Sequence, residues 1–354
     1  MLFSILEVAV LSAHLLAVNV ATAAPFVCVW CEWRAMRPGN EALRDVGRRL
    51  ARDCVVLFLI GAGLGLVELG WLFWRSDPAD LEALRTMPTS RWWFGGLELL
   101  MYLGCMLAYW YGYDRWRRRG WQWLLSIAAG TNLGYHFPAL FTIVSLVSER
   151  PELWGETIKF RELLMDRETL ARVAHFWFAS FAVTGVLAMR PWRARTEELE
   201  ARNAVDTPNA VPSENDVRGT LFGARLALVA TAVQMPLGIW LLTTLPRASQ
   251  NLVLGRNLLA TGLMVAAVVT SLGLMHLLAS LALGDVERRL VRRAALLIVA
   301  IVTMMVGTRV AVRHELRQNS PGGRAAHRER GTLPEPREPV TLLGGNRGGR
   351  RVHC

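Results

Sequence analysis

Residues 254–283 read LGRNLLATGLMVAAVVTSLGLMHLLASLAL, and this stretch decides the fold class. Beyond Arg256 it carries no charged side chain, and its one other ionisable group is His276. An apolar run of about 18 residues or more, rising about 1.5 Å per residue as a helix, is long enough to cross the hydrocarbon core of a bilayer. Seven further runs of this kind lie at roughly 2–31, 53–74, 92–113, 121–147, 170–189, 219–245 and 291–313. The 354-residue chain is 53% hydrophobic, above the about 45–50% of soluble domains, which excludes an ordinary globular enzyme. The expected fold is all-α: a polytopic transmembrane bundle of about eight helices with antiparallel neighbours joined by short loops. The bundle covers 1–315. The Gly/Pro/Arg-rich remainder, 316–354, reads as a disordered tail. Ala21–Thr22–Ala23 resembles a signal-peptide cleavage site, but no basic segment precedes it and the apolar stretch continues to Trp30, so a retained helix is expected.

The formal net charge is +11, and Lys159 is the single lysine. The arginines sit in short loops between the apolar runs and in the tail, so orientation in a membrane explains them better than nucleic-acid binding. Loops 34–52, 114–120, 190–218 and 284–293 are arginine-rich. They alternate with acidic, mixed or short connections at 75–91, 148–169 and 246–253. Arginine-rich loops stay in the cytoplasm, so a multi-pass protein of the inner (plasma) membrane with its N-terminus outside is expected. An even number of spans then leaves the arginine-rich tail outside, against the same rule.

Ionisable groups inside the membrane are costly and are functional candidates. They are Glu7, His14, Glu68, Glu98, His136, His175, Arg225, His276 and Arg309. Arg225 and Arg309 lie near helix ends, within reach of the interface. Four histidines without matching lysines or aspartates suggest metal ligation, although a single membrane histidine more often serves helix packing. Counted from the outer surface, His14, His175 and Met264 all fall in the outer half of the bilayer. Imidazole and thioether are common axial ligands of haem iron. Arg172 lies one turn outward of His175, and Arg256 outward of Met264, where both can meet haem propionates. Spacing alone favours Met264 as a gap-filling core residue. His136, which precedes Pro138, and His276 read as structural.

Several short stretches, in order, resemble subunit I of the cytochrome bd quinol oxidases. Ser12–Ala13–His14–Leu15 is similar to the segment of that family's first-helix haem ligand. Gly63–Leu64–Gly65–Leu66–Val67–Glu68 resembles its second-helix segment. Leu97–Glu98–Leu99–Leu100–Met101, followed by Gly112–Tyr113–Asp114–Arg115, resembles the helix that ends in Gly-Trp-Asp-Arg. Gly130–Thr131–Asn132–Leu133 is similar to its Gly-Ser-Asn-Leu. Val173–Ala174–His175 and Leu263–Met264–Val265 resemble the segments of its low-spin haem b ligands. The resemblance covers about the first 315 residues. It implies a haem b electron-transfer protein with one haem on His175 and Met264 and His14 as the ligand of a second. It also implies Glu68 and Glu98 as proton carriers and a second membrane subunit as partner.

The departures are equally specific. The family's long outer quinol loop is replaced by a connection of about Pro246–Val253, and its late-helix glutamate ligand is absent near Val306–Gly307. Quinol oxidation is therefore not expected, and an electron-donor protein docking on the outer face is the expected source of electrons. The alternative class is a haem-free multi-pass protein, a transporter or an assembly scaffold. Cys28–Val29–Trp30–Cys31 is followed by Glu32, not by the histidine of a c-type haem site, and reads as two semi-buried thiols. Trp92, Trp93, Trp110, Trp116, Trp121 and Trp123 read as interfacial belts. No phosphate-binding loop, dinucleotide fingerprint or nucleic-acid motif is present.

Overall fold

The computed structural model describes residues 2–76, 78–115, 121–150, 153, 160–189 and 214–319. The arginine-rich loops 114–120 and 190–218, and the tail, lie largely outside these residues. The chain divides into two compact units, 1–313 and 314–354, and of the second the described residues are the last turns of the final helix.

The described secondary structure is helical throughout. In order the helices are α1 (Leu2–Ala35), α2 (Ala42–Arg75), α3 (Pro78–Thr86), α4 (Thr89–Gly112), α5 (Gln122–Glu149), α6 (Phe160–Leu164), α7 (Arg167–Ala188), α8 (Glu214–Thr244), α9 (Arg247–Asn251), α10 (Leu258–Leu283) and α11 (Arg288–Asn319). Six of them, α1, α2, α7, α8, α10 and α11, are long and apolar enough to cross a membrane. The other two expected spans coincide with α4 and α5. Glu98 in α4, and Asn132, His136 and Pro138 in α5, make these helices more polar. Successive long helices reverse direction, so α1 begins on the side where α2 ends. The short helices α3, α6 and α9 also lie on this N-terminal side.

Small residues set the closest approaches, as expected where helices associate by van der Waals packing in an apolar medium. At the crossing of α7 and α8, a Cβ on Gly223 would lie 2.5 Å from the Gly185 carbonyl oxygen. A Cβ on Gly61 of α2 would lie 3.1 Å from Val18 of α1. The core between α1, α2 and α4 contains Ala21, Ala24, Val27, Cys28, Leu50, Cys54, Tyr102, Met106 and Tyr109, all buried. A smaller cluster, Ala83, Met87, Leu140, Ile143 and Val147, seats α3 against α5.

Prolines interrupt three long helices at Pro25, Pro138 and Pro236. A proline has no N–H, so it frees the carbonyl four residues before it, and that group needs another donor inside a membrane. For Pro25 this is the Ala21 carbonyl, and Tyr102 of α4 donates to it at 2.6 Å. For Pro138 it is the Gly134 carbonyl, and Trp177 of α7 donates to it at 2.8 Å. A Cβ on Gly134 would sit 2.8 Å from the Trp177 ring, so glycine also permits the approach.

The decisive stretch starts later than its composition suggests. Leu254 and Gly255 leave helical geometry, with Gly255 at φ +136°, and the Asn257 side chain accepts the Ala260 N–H at 2.9 Å to cap α10. Residues 254–256 thus belong to a π-helical turn, Leu252–Arg256, that follows α9.

Candidate functional site

His175 lies on α7, nine residues after Asp166, whose carboxylate accepts the Glu168 N–H at 2.9 Å and fixes the start of that helix. Its Nδ1 is buried and has no hydrogen-bond partner among the described residues. Gly238 of α8 faces the ring edge, where a Cβ would be 3.8 Å from Cε1. Met264 sits six residues into α10 and is partly buried. α8 packs against both α7 and α10, so it is the shared neighbour of the helices that carry His175 and Met264.

His14 is partly buried, and its Nδ1 donates to the Gly61 carbonyl of α2 at 2.8 Å. Gly65 allows this approach, since a Cβ there would be 3.0 Å from His14 Cε1. With the proton on Nδ1, Nε2 keeps its lone pair.

Glu98 and His136 form a pair across α4 and α5, Oε1 to Nδ1 at 2.6 Å, with side-chain exposures of 23% and 50%. Asn132 donates to the Glu98 backbone carbonyl at 2.9 Å, which ties the two helices together at the same level. Glu68 is partly buried on α2, and no hydrogen bond joins it to Glu98. Nearer the end of α2, Arg75 pairs with Glu7 of α1 at 2.8 Å. His276 is exposed, and Arg225 caps α10 by donating to the Ala282 carbonyl from Nε and Nη2, each at 3.3 Å. That placement suits a cation at a helix C-terminus.

Arg172 belongs to a charged cluster on the N-terminal side. It binds Glu168, one turn before it on α7, and Glu149 of α5 at 3.2 Å. Glu168 is 2% exposed and also accepts from Arg150 at 2.8 Å. Arg313 of α11 reaches Asp80 of α3 at 3.0 Å and Ser148 at 2.8 Å. Arg309 donates to Ser145 at 2.9 Å. The expected propionate partner is therefore already held by two carboxylates. Arg256, exposed in the turn before α10, has no partner among the described residues.

Glu32 marks a second polar centre, at the opposite end of α1. It is 8% exposed and accepts from Tyr109 at 2.5 Å, Gln122 at 2.7 Å and Trp123 at 2.6 Å. No cation touches it among the described residues. Nearby, Cys28, Cys31 and Cys54 are buried free thiols, and Cys28 Sγ lies 3.4 Å from the Gly47 carbonyl. An open, apolar groove of about 400 Å³ runs alongside, lined by Phe26, Val29, Trp30, Trp33, Trp123 and Ile127. Among the described residues, no group of three or more His, Cys, Asp and Glu side chains is arranged to hold a metal ion.

Both polar centres escaped the sequence reading. Glu149 and Glu168 stood in a connection read as an acidic loop, although Glu168 and Arg172 have the four-residue spacing of a helical ion pair. In sequence Glu32 stands only as the residue after a C-x-x-C pair, although a carboxylate beside a long apolar run signals a buried partner set. The chain matches no protein-family model, and no curated protein matches it.

Proposed function

We propose that this chain is an eight-span membrane protein that holds a haem b through His175 and takes part in one-electron transfer. The observation that carries the reading is the buried Nδ1 of His175, which has no partner among the described residues. An unsatisfied buried polar atom costs about 1–3 kcal/mol, and an incoming ligand or metal relieves that cost. A bound haem b would supply one-electron exchange; His175 would hold its iron, and the bundle would shield it from water. Met264 is the partner ligand of this reading. His175 lies eight residues past Arg167 and Met264 six past Leu258, about 12 and 9 Å inward from helix ends on the same side. Arg256 takes the propionate role, since Arg172 is committed to Glu149 and Glu168.

His14 is the ligand of a second haem in this reading. Its Nδ1–H bond to the Gly61 carbonyl is the outer contact that orients metal-bound imidazoles. Glu68 and Glu98 carry protons, the second through its pair with His136. The count of eight includes α4 and α5, which run the full height of the bundle. α4 passes from Trp92 beside α3 to Tyr113, whose hydroxyl donates to the Arg44 carbonyl, and α5 passes from the Glu32 level to Ser148 at Arg313. The N-terminal side is external and the membrane is the plasma membrane. A second membrane subunit and an outer-face donor protein are the partners. Quinol is not the donor, because the connection of α9 and the π turn offers no carboxylate or histidine to a headgroup.

The test is a reduced-minus-oxidised spectrum of the purified protein from haem-replete cells. A sharp low-spin haem b α-band, lost in His175→Ala and shifted in Met264→Ala, is expected. A colourless preparation overturns the reading. The second reading, a haem-free transporter or scaffold, is favoured by one observation: the contacts of His14 and His136 already account for both imidazoles as packing groups.

A further inference from the structure

Among the described residues, the charged cluster on the N-terminal side holds more guanidiniums than carboxylates. Its guanidiniums are Arg150, Arg172, Arg309 and Arg313, and its carboxylates are Asp80, Glu149 and Glu168. Among the described residues, three of the four arginines have a carboxylate within 4 Å, while Arg309 has the Ser145 hydroxyl, at 2.9 Å. Ser145 is itself shared, donating to Glu149 at 2.9 Å and lying 3.4 Å from Arg172. A guanidinium has five N–H donors, so most of those on Arg309 remain for a ligand. Arg309 is on the outer flank of α11, where the residue is exposed. It stands level with the last turn of α5, so its surroundings are the outer margin of the hydrocarbon core and the headgroups above it. An arginine at that depth is favoured by a counter-charge, since intramembrane cations otherwise depend on polar partners or on reaching the interface.

We propose that Arg309, steadied by Ser145, binds the phosphate of a phospholipid headgroup approaching from the flank of α11. The planar fork of the guanidinium matches a phosphate oxyanion with two parallel hydrogen bonds. The ligand supplies the negative charge that the cluster lacks, and basic sites between membrane helices recognise headgroups in this way. Lipid is favoured over soluble phosphate because the open side of Arg309 faces the bilayer flank. The site rests on the ion cluster alone and does not depend on haem.

The experiment follows thermal unfolding of delipidated full-length protein in neutral detergent. Three probes are added separately: dioleoylphosphatidylglycerol, dioleoylglycerol with the same chains and no phosphate, and inorganic phosphate at matched ionic strength. The phospholipid is expected to raise Tm saturably, and the other two are not. In Arg309→Gln the apparent phospholipid affinity falls about tenfold to hundredfold, as expected for losing a charge-assisted phosphate contact. Arg309→Lys retains part of it. An equal response of the wild type and Arg309→Gln, or an equal response to dioleoylglycerol, overturns the site. An equal response to inorganic phosphate overturns the lipid source and assigns the pocket to a soluble oxyanion. If Arg309→Gln does not fold, native mass spectrometry of the wild type decides: a retained phospholipid that persists in Arg225→Gln but not in Ser145→Ala supports the site, and its absence from the wild type overturns it.

Discussion

The two ends of the bundle bury carboxylates by opposite means. On the N-terminal side, Glu168 is enclosed by Arg150 and Arg172, and Glu149 by Arg172 and Arg313. On the other side, Glu32 is held by a phenol, an amide and an indole, all neutral. In the first case, removing one carboxylate strands cations that cannot easily reach water. In the second, it strands dipoles, which cost less to leave unpaired. Charge pairing also joins helices far apart in sequence, since Arg313 of α11 reaches Asp80 of α3. The Glu32 cluster fastens the end of α1 to the adjoining ends of α4 and α5.

The largest expected effect is that of Glu168→Ala. It leaves Arg150 without its carboxylate and Arg172 with Glu149 alone, for a loss of about 3–5 kcal/mol. Thermal unfolding of the purified protein in one detergent, with folded yield as a second readout, measures it. Glu32→Ala should cost less, about 2–3 kcal/mol by the same assay, because Tyr109, Gln122 and Trp123 lose an acceptor but no charge is orphaned. A Glu32 loss equal to or above that of Glu168 would break the contrast between the two ends.

Smaller effects sharpen the contrast. Asp166→Ala removes the N-cap that starts α7 just before Glu168, and should lower stability by about 1 kcal/mol. If it falls by as much as Glu168→Ala, the helix start, rather than ion pairing, governs that end. Asp114→Asn is the mildest change. Asp114 pairs with Arg44 at 2.9 Å and Arg48 at 3.1 Å, but it is 48% exposed at the arginine-rich end. Water screens such pairs, so the loss should stay within about 0.5 kcal/mol and shrink further in high salt. A salt-insensitive loss above that range would show that this end, too, depends on buried charge.

Much of the bundle was legible in sequence because an apolar run is a local property. The approximate helix limits and the alternation of arginine-rich connections follow from residue order; of the four histidines, His14 and His175 are largely enclosed, while His136 is half-exposed and His276 exposed. The start of α10 was misplaced because Gly255 and Asn257 act through one backbone angle and one cap, which hydropathy averages away. His136 reads as a structural residue beside Pro138, yet Trp177 meets the carbonyl that this proline frees, and His136 meets Glu98. Nothing local to α5 names an indole 43 residues further along.

Sequence by itself determined that this chain forms long helices suited to a bilayer, since apolar runs of such length satisfy their polar backbone groups internally as helices. It also determined where those helices are weakened, at Pro25, Pro138 and Pro236. Only the tertiary structure decided how the weak points and charges are met: Tyr102 on Ala21, Trp177 on Gly134, neutral donors on Glu32, and arginines from the end of α5, from α7 and from α11 around Glu149 and Glu168. The physical reason is range. Burial tendency is carried by each residue in turn, but a hydrogen bond or ion pair between helices exists only once packing has fixed which faces meet.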